Sequence, residues 1–453
     1  MAKIRCCAIV LGVLAAGRAG LGGAEPVALR ERVPEKAGAT RVVVTLKAEG
    51  LFLPNTPTGE KEVKAAKPLT LKVETRLDFA ERVVATDAAG QPRRAVRWVN
   101  QAAAAINGEV RPSAAVVRPE VALLVAERRE GDVVVASPSG PLTRPELDLL
   151  DDVGDPLLLG ALLPDKPVVA GDRWRIGNDG ARGLSGYDVL ATNSVDATLE
   201  ALDDAKAQVK FAGTIRGASY GGGEGTVQAA GSFTFDRKAE RIRELKLTRN
   251  EVRKPGEVED GLDVKSTLTL ERNDVETPAA LADGVLKEVP EEITPERLLL
   301  VHLSPDGKYS VRHDRDWHIY HETLRQSVLK RLDRGEVVAY CNLTTGPNAG
   351  KGRHQDLRQF RDGVRRAIGE GFGQFLGEGE VEGDPAGGFR YKVAVQGRKG
   401  NLGVIWDYFL AAAPNGDQLG IVFTLAEASA KAFGDQDVQL VGSLRWKEET
   451  PKP

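Results

Sequence analysis

All five histidines of the chain fall between residues 302 and 354, and four lie within twenty residues: His302, His313, His318 and His321. Imidazole nitrogens are common zinc ligands, and a zinc site needs three or four ligands about 2 Å from the metal. His318 and His321 would share one face of a helix, but they should point to opposite faces of the strand predicted there. The spacing therefore favours separate histidines with local hydrogen bonds. A metal site built on His313, His318 and His321 is the alternative.

No complete catalytic motif accompanies these histidines. The run GLSG at 183–186 lacks the G-x-S-x-G spacing of a serine nucleophile elbow. The run GPNAGKG at 346–352 is one residue short of a phosphate-binding loop, and Gly352 replaces the hydroxyl that would hold magnesium. We therefore predict no catalytic residue and no cofactor, and we favour a non-enzymatic protein. A metal-assisted hydrolase that uses the histidine cluster is the alternative.

Aromatic and arginine side chains form a second group of candidates, for binding a ligand or a partner. They are Trp317, Trp406, Tyr408, Arg358, Arg361 and Arg365. The three aromatic residues lie on predicted strands, where a place in the sheet core is the favoured interpretation and a stacking surface is the alternative. The arginines lie on one side of an amphipathic helix predicted at 354–368. A solvated helix face is favoured there, and docking to an acidic surface is the alternative.

Length and composition restrict the class of protein. The 453 residues predict two or three domains, and the hydrophobic fraction of 42% is enough to build their cores. Lys and Arg number 62 against 65 Asp and Glu, so the chain lacks the basic excess that general nucleic-acid binding requires. No stretch beyond the N-terminus approaches the roughly 18 apolar residues of a membrane helix. The partners left are an unknown protein or an apolar small molecule.

The N-terminus predicts export. Residues 1–24 resemble a secretory signal peptide, because Lys3 and Arg5 precede a short apolar run and the small Ala24 marks a cleavage position. The mature protein would then be periplasmic or extracellular, with no membrane span. Cleavage would leave Cys341 as the single cysteine, so the mature chain could form no internal disulfide. The strand-forming run around Cys341 predicts a small buried residue.

Patterning divides the mature chain into two α+β domains. Alternation with a period of two predicts a long, curved antiparallel sheet in the first domain, interrupted by helices at 94–107 and 144–165. The second domain is predicted as an antiparallel sheet flanked by helices. The predicted segments are a flexible leader at 25–40, the β-rich domain at 41–275, an acidic proline-containing linker at 276–297, and the second domain at 298–453.

The second domain resembles the PsbP-like fold of the PsbP and Mog proteins over about residues 298–446. The matching features are GKYSV at 307–311, then Trp317, two strands, a helix, and the hairpin GVIWDYFLAAAPNGDQLGIVFTL. His313 departs from the family pattern, which often has Tyr-Pro at this place. The resemblance implies a non-catalytic binding or assembly module, because members of this fold bind quite different partners.

The first domain resembles, by its predicted architecture and its predicted export, the half-barrels of LolA and LppX type lipoprotein carriers. That resemblance implies an apolar cavity, or an apolar concave face, beneath the segment 144–165. We therefore predict an exported, non-enzymatic binding or scaffold protein of the cell envelope, with an apolar ligand held in the first domain. A structural envelope protein that binds other proteins through sheet edges or the arginine helix is a further alternative.

Overall fold

The computed structural model describes residues 25–34, 38–55, 67–107, 109–110, 116–150, 153–381 and 388–447. Strands account for 53% and helices for 17%, and the strands form three sheets. The α+β prediction, with helices flanking a sheet, is therefore wrong, and the chain is mainly antiparallel β. The pattern misled because several helix-forming stretches are paired as strands or broken into short turns. The predicted signal peptide lies outside the described residues.

The first region is built on one thirteen-stranded sheet. Its strands are β1 (Ala39–Leu53), β2 (Leu69–Thr86), β3 (Pro92–Ile106), β4 (Glu109–Val110), β5 (Leu123–Arg129), β6 (Asp132–Ala136), β7 (Arg173–Arg175), β8 (Val189–Asn193), β9 (Asp196–Leu202), β10 (Lys206–Ala218), β11 (Glu224–Asp236), β12 (Arg241–Arg253) and β13 (Gly261–Val275). Their order across the sheet is β6-β5-β3-β2-β1-β13-β12-β11-β10-β9-β7, with β4 on β3 and β8 on β10. Every pairing is antiparallel, and β10 to β13 are the consecutive hairpins that alternation predicts.

Two smaller sheets form the second region. The three-stranded sheet has β14 (Leu300–Leu303), β15 (Tyr309–His313) and β23 (Arg445–Trp446). The seven-stranded sheet has β16 (Trp317–Thr323), β17 (Gln326–Asp333), β18 (Glu336–Thr345), β19 (Phe372–Glu380), β20 (Phe389–Lys399), β21 (Leu402–Ala412) and β22 (Gln418–Ala426). Its order is β16-β17-β18-β22-β21-β20-β19, so the chain returns beside β18 after the meander of β19 to β22.

The helices among the described residues are short. The α-helices are α1 (Arg144–Leu150), α2 (Asn178–Ser185), α3 (Asp283–Glu288), α4 (Pro295–Leu298), α5 (Leu357–Ile368), α6 (Ala430–Phe433) and α7 (Gln436–Gly442). The 3-10 helices are Pro119–Val121, Pro156–Leu162, Ala279–Leu281, Gly369–Gly371 and Glu427–Ser429. Only α5, with 12 residues, is longer than eight residues, and it lies where the amphipathic pattern at 354–368 predicts a helix.

Both predicted helices of the first region are wrong. The alanine-rich segment at 94–107 is strand β3, because pairing with β2 along its length, and with β5 at residues 94–98, overrides the helix preference of alanine. The segment at 144–165 divides into α1 and a 3-10 helix at Pro156–Leu162. Gly154 separates them with a φ of +90°, a backbone conformation that glycine adopts at little cost.

The core of the first region lies on one face of the large sheet. Val44, Leu270, Leu245, Phe233 and Val209 form a row across five neighbouring strands, and all five are buried. We call the face that carries this row the inner face and the opposite one the outer face. The 3-10 helix at Pro156–Leu162 and helix α2 cover part of the inner face.

The segment between the two regions packs against the first sheet. Leu281 is buried with Ala80 of β2 and Val96 of β3. Ile293 is buried with Val125 and with Ala136 at the end of β6. Residues 276–297 therefore include α3 and part of α4, and they are held by apolar contacts as well as by their chain connections.

Candidate binding surfaces

The histidine cluster lies where the two regions meet. Arg144 of α1 donates hydrogen bonds to the carbonyl oxygens of Arg315 and, at 3.2 Å, of Trp317. The Tyr220 hydroxyl, at the turn between β10 and β11, donates to the Asp316 carboxylate. These contacts tie the segment that connects β15 and β16 to two separate elements of the first region.

Burial keeps three of these histidines neutral at ordinary pH. His302 is 2% exposed and His313 is 3% exposed, and burial lowers the pKa of each to about 4. Burial, with further effects from Arg144 and His313, lowers the pKa of His318 to about 3. Two of these imidazoles have local polar partners. His302 lies 3.1 Å from the Ser327 hydroxyl, and His313 Nδ1 donates to the Asp314 carbonyl at 2.7 Å.

A bulge in β16 changes the orientation predicted for His318 and His321. The register shifts between Ile319 and His321, so His318 pairs with Lys330 and His321 with Val328. Lys330 and Val328 are two residues apart, which places the two histidines on the same face of the sheet rather than on opposite faces. His321 is exposed, whereas His318 is partly buried.

The geometry nevertheless offers no ligand set for a metal. Among the described residues, no group of three or more His, Cys, Asp or Glu side chains is arranged to hold a metal ion. The positive charge of Arg144, which helps to lower the pKa of His318, also works against a cation at this position. The hydrolase alternative therefore has no metal centre on which to build in the described part of the chain.

The predicted aromatic and arginine surface divides into two places. Trp317 is 1% exposed and packs edge-on against Phe423 and Phe433, with ring centroids 5.9 and 6.3 Å away. It is therefore core, as the favoured interpretation predicts. Trp406 and Tyr408 lie on the opposite face of the same sheet, where they are partly exposed.

Helix α5 packs beside these two aromatic residues. Its buried Val364 joins Val393 and Val395 of β20, with Trp406 and Tyr408 at the margin of the cluster. Two of its arginines contact the edge strand β19. Arg361 pairs with Glu378 at 3.0 Å, and the guanidinium of Arg365 lies 5.0 Å from the centre of the Phe372 ring. Arg358 is exposed.

A third surface, which the sequence analysis missed, lies on the inner face of the large sheet. Six apolar side chains there form a continuous patch, which we call the apolar strip: Phe52, Leu69, Leu71, Val73, Ile106 and Leu262. The register joins them, since Phe52 pairs with both Leu69 and Leu262, and Val73 pairs with Ile106. Leu69 is 50% exposed, and the other five are partly exposed.

The apolar strip lies outside the hydrophobic clusters that the described residues form. On β12, the next strand of the same face, the side chains become charged. Arg249 pairs with Glu251 at 2.7 Å, and Arg253 pairs with Glu259 at 3.2 Å. The alternation in PLTLKVETRL at 68–77 marks the apolar face of β2. Sequence alone does not show that this face lies outside the described hydrophobic cores.

The inner face is filled where the sequence analysis predicted a cavity. Leu157, Leu159 and Leu162 of the 3-10 helix are each no more than 3% exposed, and they pack into the cores on the sheet. An apolar cavity beneath 144–165 is therefore the wrong expectation. A hollow of about 410 Å³ lies on the outer face instead, and its lining includes Arg41 and Glu271.

Comparisons with known proteins give no family. No family model matches the chain, and no curated protein gives a significant match. In the part of the chain that the structure describes, no helix is long and apolar enough to cross a membrane.

Solved structures give only weak likenesses. A protein from Bacteroides thetaiotaomicron VPI-5482 has 10% identity and a TM-score of 0.25, over 33% of this chain and 48% of that one. Lipovitellin, from a study of lipid–protein interactions, has 9% identity and a TM-score of 0.31, over 54% and 26%. A BenF-like porin from Pseudomonas fluorescens Pf-5 has 11% identity and a TM-score of 0.12, over 86% and 99%. The chain spans about half of the first protein and a quarter of the second, and TM-scores this low carry no argument. The resemblances to PsbP-like and carrier folds stay predictions.

Proposed function

We propose that this chain is an exported, non-enzymatic binding protein of the cell envelope that holds an apolar ligand against the apolar strip. The observation that carries the proposal is the strip itself. Contiguous apolar surface that packs into no described core is costly to leave in water, and such patches usually mark binding sites. Export rests on the leader sequence, and the absence of a catalytic role rests on the incomplete motifs.

The surroundings of the apolar strip define the ligand that fits it. The floor is formed by side chains of β1, β2, β3 and β13, with the small Gly50 and Ala48 between the larger ones. The charged row of β12 borders the apolar strip on one side. In that row Arg249 and Arg253 are each paired with a carboxylate. An extended hydrocarbon would therefore lie on β1 and β2, with any polar end directed toward β12.

Two buried arginines outside this surface have structural partners. Arg97 contacts Glu81 at 3.2 Å and Asp155 at 2.7 Å, and Arg272 contacts Glu31 at 2.6 Å. Buried charges that are paired in this way fix the packing of the sheet and its coverings. They supply no free acid or base beside the apolar strip, which supports a binding role over a catalytic one.

Titration with an apolar fluorescent probe, N-phenyl-1-naphthylamine, tests the proposal. Leu71→Gln places an amide in the middle of the apolar strip and should weaken binding about tenfold, because part of a leucine side chain no longer contributes apolar contact. Leu51→Gln is the matched control, since Leu51 lies on the neighbouring strand, is 39% exposed and faces the outer side. Equal loss in both variants, or no binding by the wild type, would exclude the strip as the ligand site.

A further inference from the structure

One end of the seven-stranded sheet combines unpaired positive charge with an exposed leucine. Arg398 and Lys399 end β20 and Leu402 begins β21, on either side of the hairpin turn, and Leu402 is 66% exposed. Arg365 and Arg366, in the last turn of α5, are exposed at the same end of the sheet. We call these five residues the basic tip.

The backbone brings the two parts of the basic tip together. Gly371, the last residue of the 3-10 helix that follows α5, lies against the carbonyl of Arg398, and Phe372 pairs with Gly397. The C-terminus of α5 therefore lies beside the hairpin turn. Gly400, with a φ of +61°, closes the turn so that the chain reverses between Lys399 and Leu402.

The four cations of the basic tip form no ion pair with any described acid. By contrast, Arg361, one turn earlier on α5, forms an ion pair with Glu378. Asp362 and Glu370 are the acids nearest in the chain to Arg365 and Arg366, and Glu427, which lies against Gly403 of β21, accepts a hydrogen bond from Gln396 at 2.7 Å. Arg365 and Arg366 also complement the dipole of α5, but Arg398 and Lys399 have no such role. The tip therefore presents four exposed basic side chains that no described acid neutralises through an ion pair.

We infer that the basic tip docks the protein onto an anionic lipid surface. The hairpin places the exposed Leu402 directly opposite Lys399 and beside Arg398, so an apolar side chain and cations share one surface. The headgroup region of a bilayer can admit the leucine while its phosphates meet the cations, and each basic residue near an anionic leaflet strengthens binding. An acidic protein would complement the positive charge of the tip but would not account for the exposed Leu402. This inference is independent of the ligand proposed for the apolar strip.

Co-sedimentation of the mature chain with vesicles tests the inference. Binding is expected to phosphatidylcholine vesicles that contain one quarter phosphatidylglycerol, but not to phosphatidylcholine alone, and it should be lost when salt rises from about 0.1 M to about 0.5 M. Leu402→Gln and the pair Arg398→Gln/Lys399→Gln should each weaken binding about tenfold. Circular dichroism checks that the variants are folded.

The opposite end of the same sheet provides matched controls. Leu324, in the turn between β16 and β17, is 68% exposed, and Leu324→Gln should bind vesicles as the wild type does. Lys351→Gln/Arg353→Gln removes two exposed charges from a loop that contacts the turn at 414–416, and it should also bind normally. Equal loss in the controls would mean unspecific adsorption. Retention by Leu402→Gln, with displacement of the wild type by soluble polyglutamate, would assign the tip to an acidic protein. Either result overturns the inference.

Discussion

Acidification should destabilise the protein through its buried histidines, and His302 gives the clearest case. Its imidazole is 2% exposed and contacts the Ser327 hydroxyl at 3.1 Å. The Glu322 carboxylate lies 3.8 Å from Nε2, which is too long for a hydrogen bond, and it is partly exposed. It therefore does not offset the effect of burial, which lowers the pKa of His302 from 6.5 to about 4.

The sign and size of the effect follow from proton binding. Between pH 6.5 and about 4 the unfolded chain binds a proton at His302 that the native protein does not bind. The effect of His302 on the free energy of unfolding is therefore absent above pH 6.5. It lowers stability as the pH drops toward 4 and causes no further loss below that. One pKa unit corresponds to about 1.4 kcal/mol, so His302 alone should cost about 2 kcal/mol at about pH 5.

Urea unfolding followed by tryptophan fluorescence, at about pH 7.5 and about pH 5, measures this loss. His302→Gln removes the titration and places an amide nitrogen near Nε2, so the bond to Ser327 can be kept. The free energy of unfolding of the wild type should fall about 2 kcal/mol further than that of the variant. His321→Gln, at an exposed histidine of the same region, should behave as the wild type. An equal fall for the wild type and His302→Gln would refute the reasoning.

Three further predictions concern the interior and the junction. Burial raises the pKa of Cys341, so Ellman's reagent should not react with it in the native mature protein and should react fully after denaturation. Arg97→Met leaves Glu81 and Asp155 without their cation, and urea unfolding should show a loss of about 3–5 kcal/mol, part of which Glu81→Leu in the same chain should restore. Gly222→Ala forces a φ of +86° on alanine and sets its Cβ 2.9 Å from the Gly335 carbonyl, so its melting temperature should fall more than that of Gly307→Ala, where φ is +70° and the space is open. Equal shifts would contradict a tight contact between the two regions.

Local patterning predicts much of the strand structure. Alternation identifies the hairpins from β10 to β13, and the pattern at 354–368 identifies α5, because one face of each element is apolar and the other polar. The alanines of β3 carry no such alternation. The strand conformation of the alanines at 102–105 comes from pairing with β2, which no window of sequence shows. The single helix predicted at 144–165 failed for a local reason, the non-helical positive φ at Gly154.

The candidate surfaces depend even more on distant contacts. The burial of Trp317 follows from strand pairing that places it against Phe423, more than a hundred residues away. His318 and His321 share a face because of a bulge, and bulges leave little trace in composition. The apolar strip arises because the described residues that cover the inner face do not pack onto the ends of β1 and β2. Sequence gives the apolar face of each strand, whereas the extent of its cover depends on the folded chain.

Native mass spectrometry of the protein from its own cells tests the proposed function most directly. Wild type and Leu71→Gln should be purified in parallel without detergent, and any bound material extracted into organic solvent. We predict an added mass of a few hundred daltons on the wild type, released by the solvent and much reduced on Leu71→Gln. A bare polypeptide mass for the wild type, or the same adduct on both proteins, would contradict an apolar ligand on the strip.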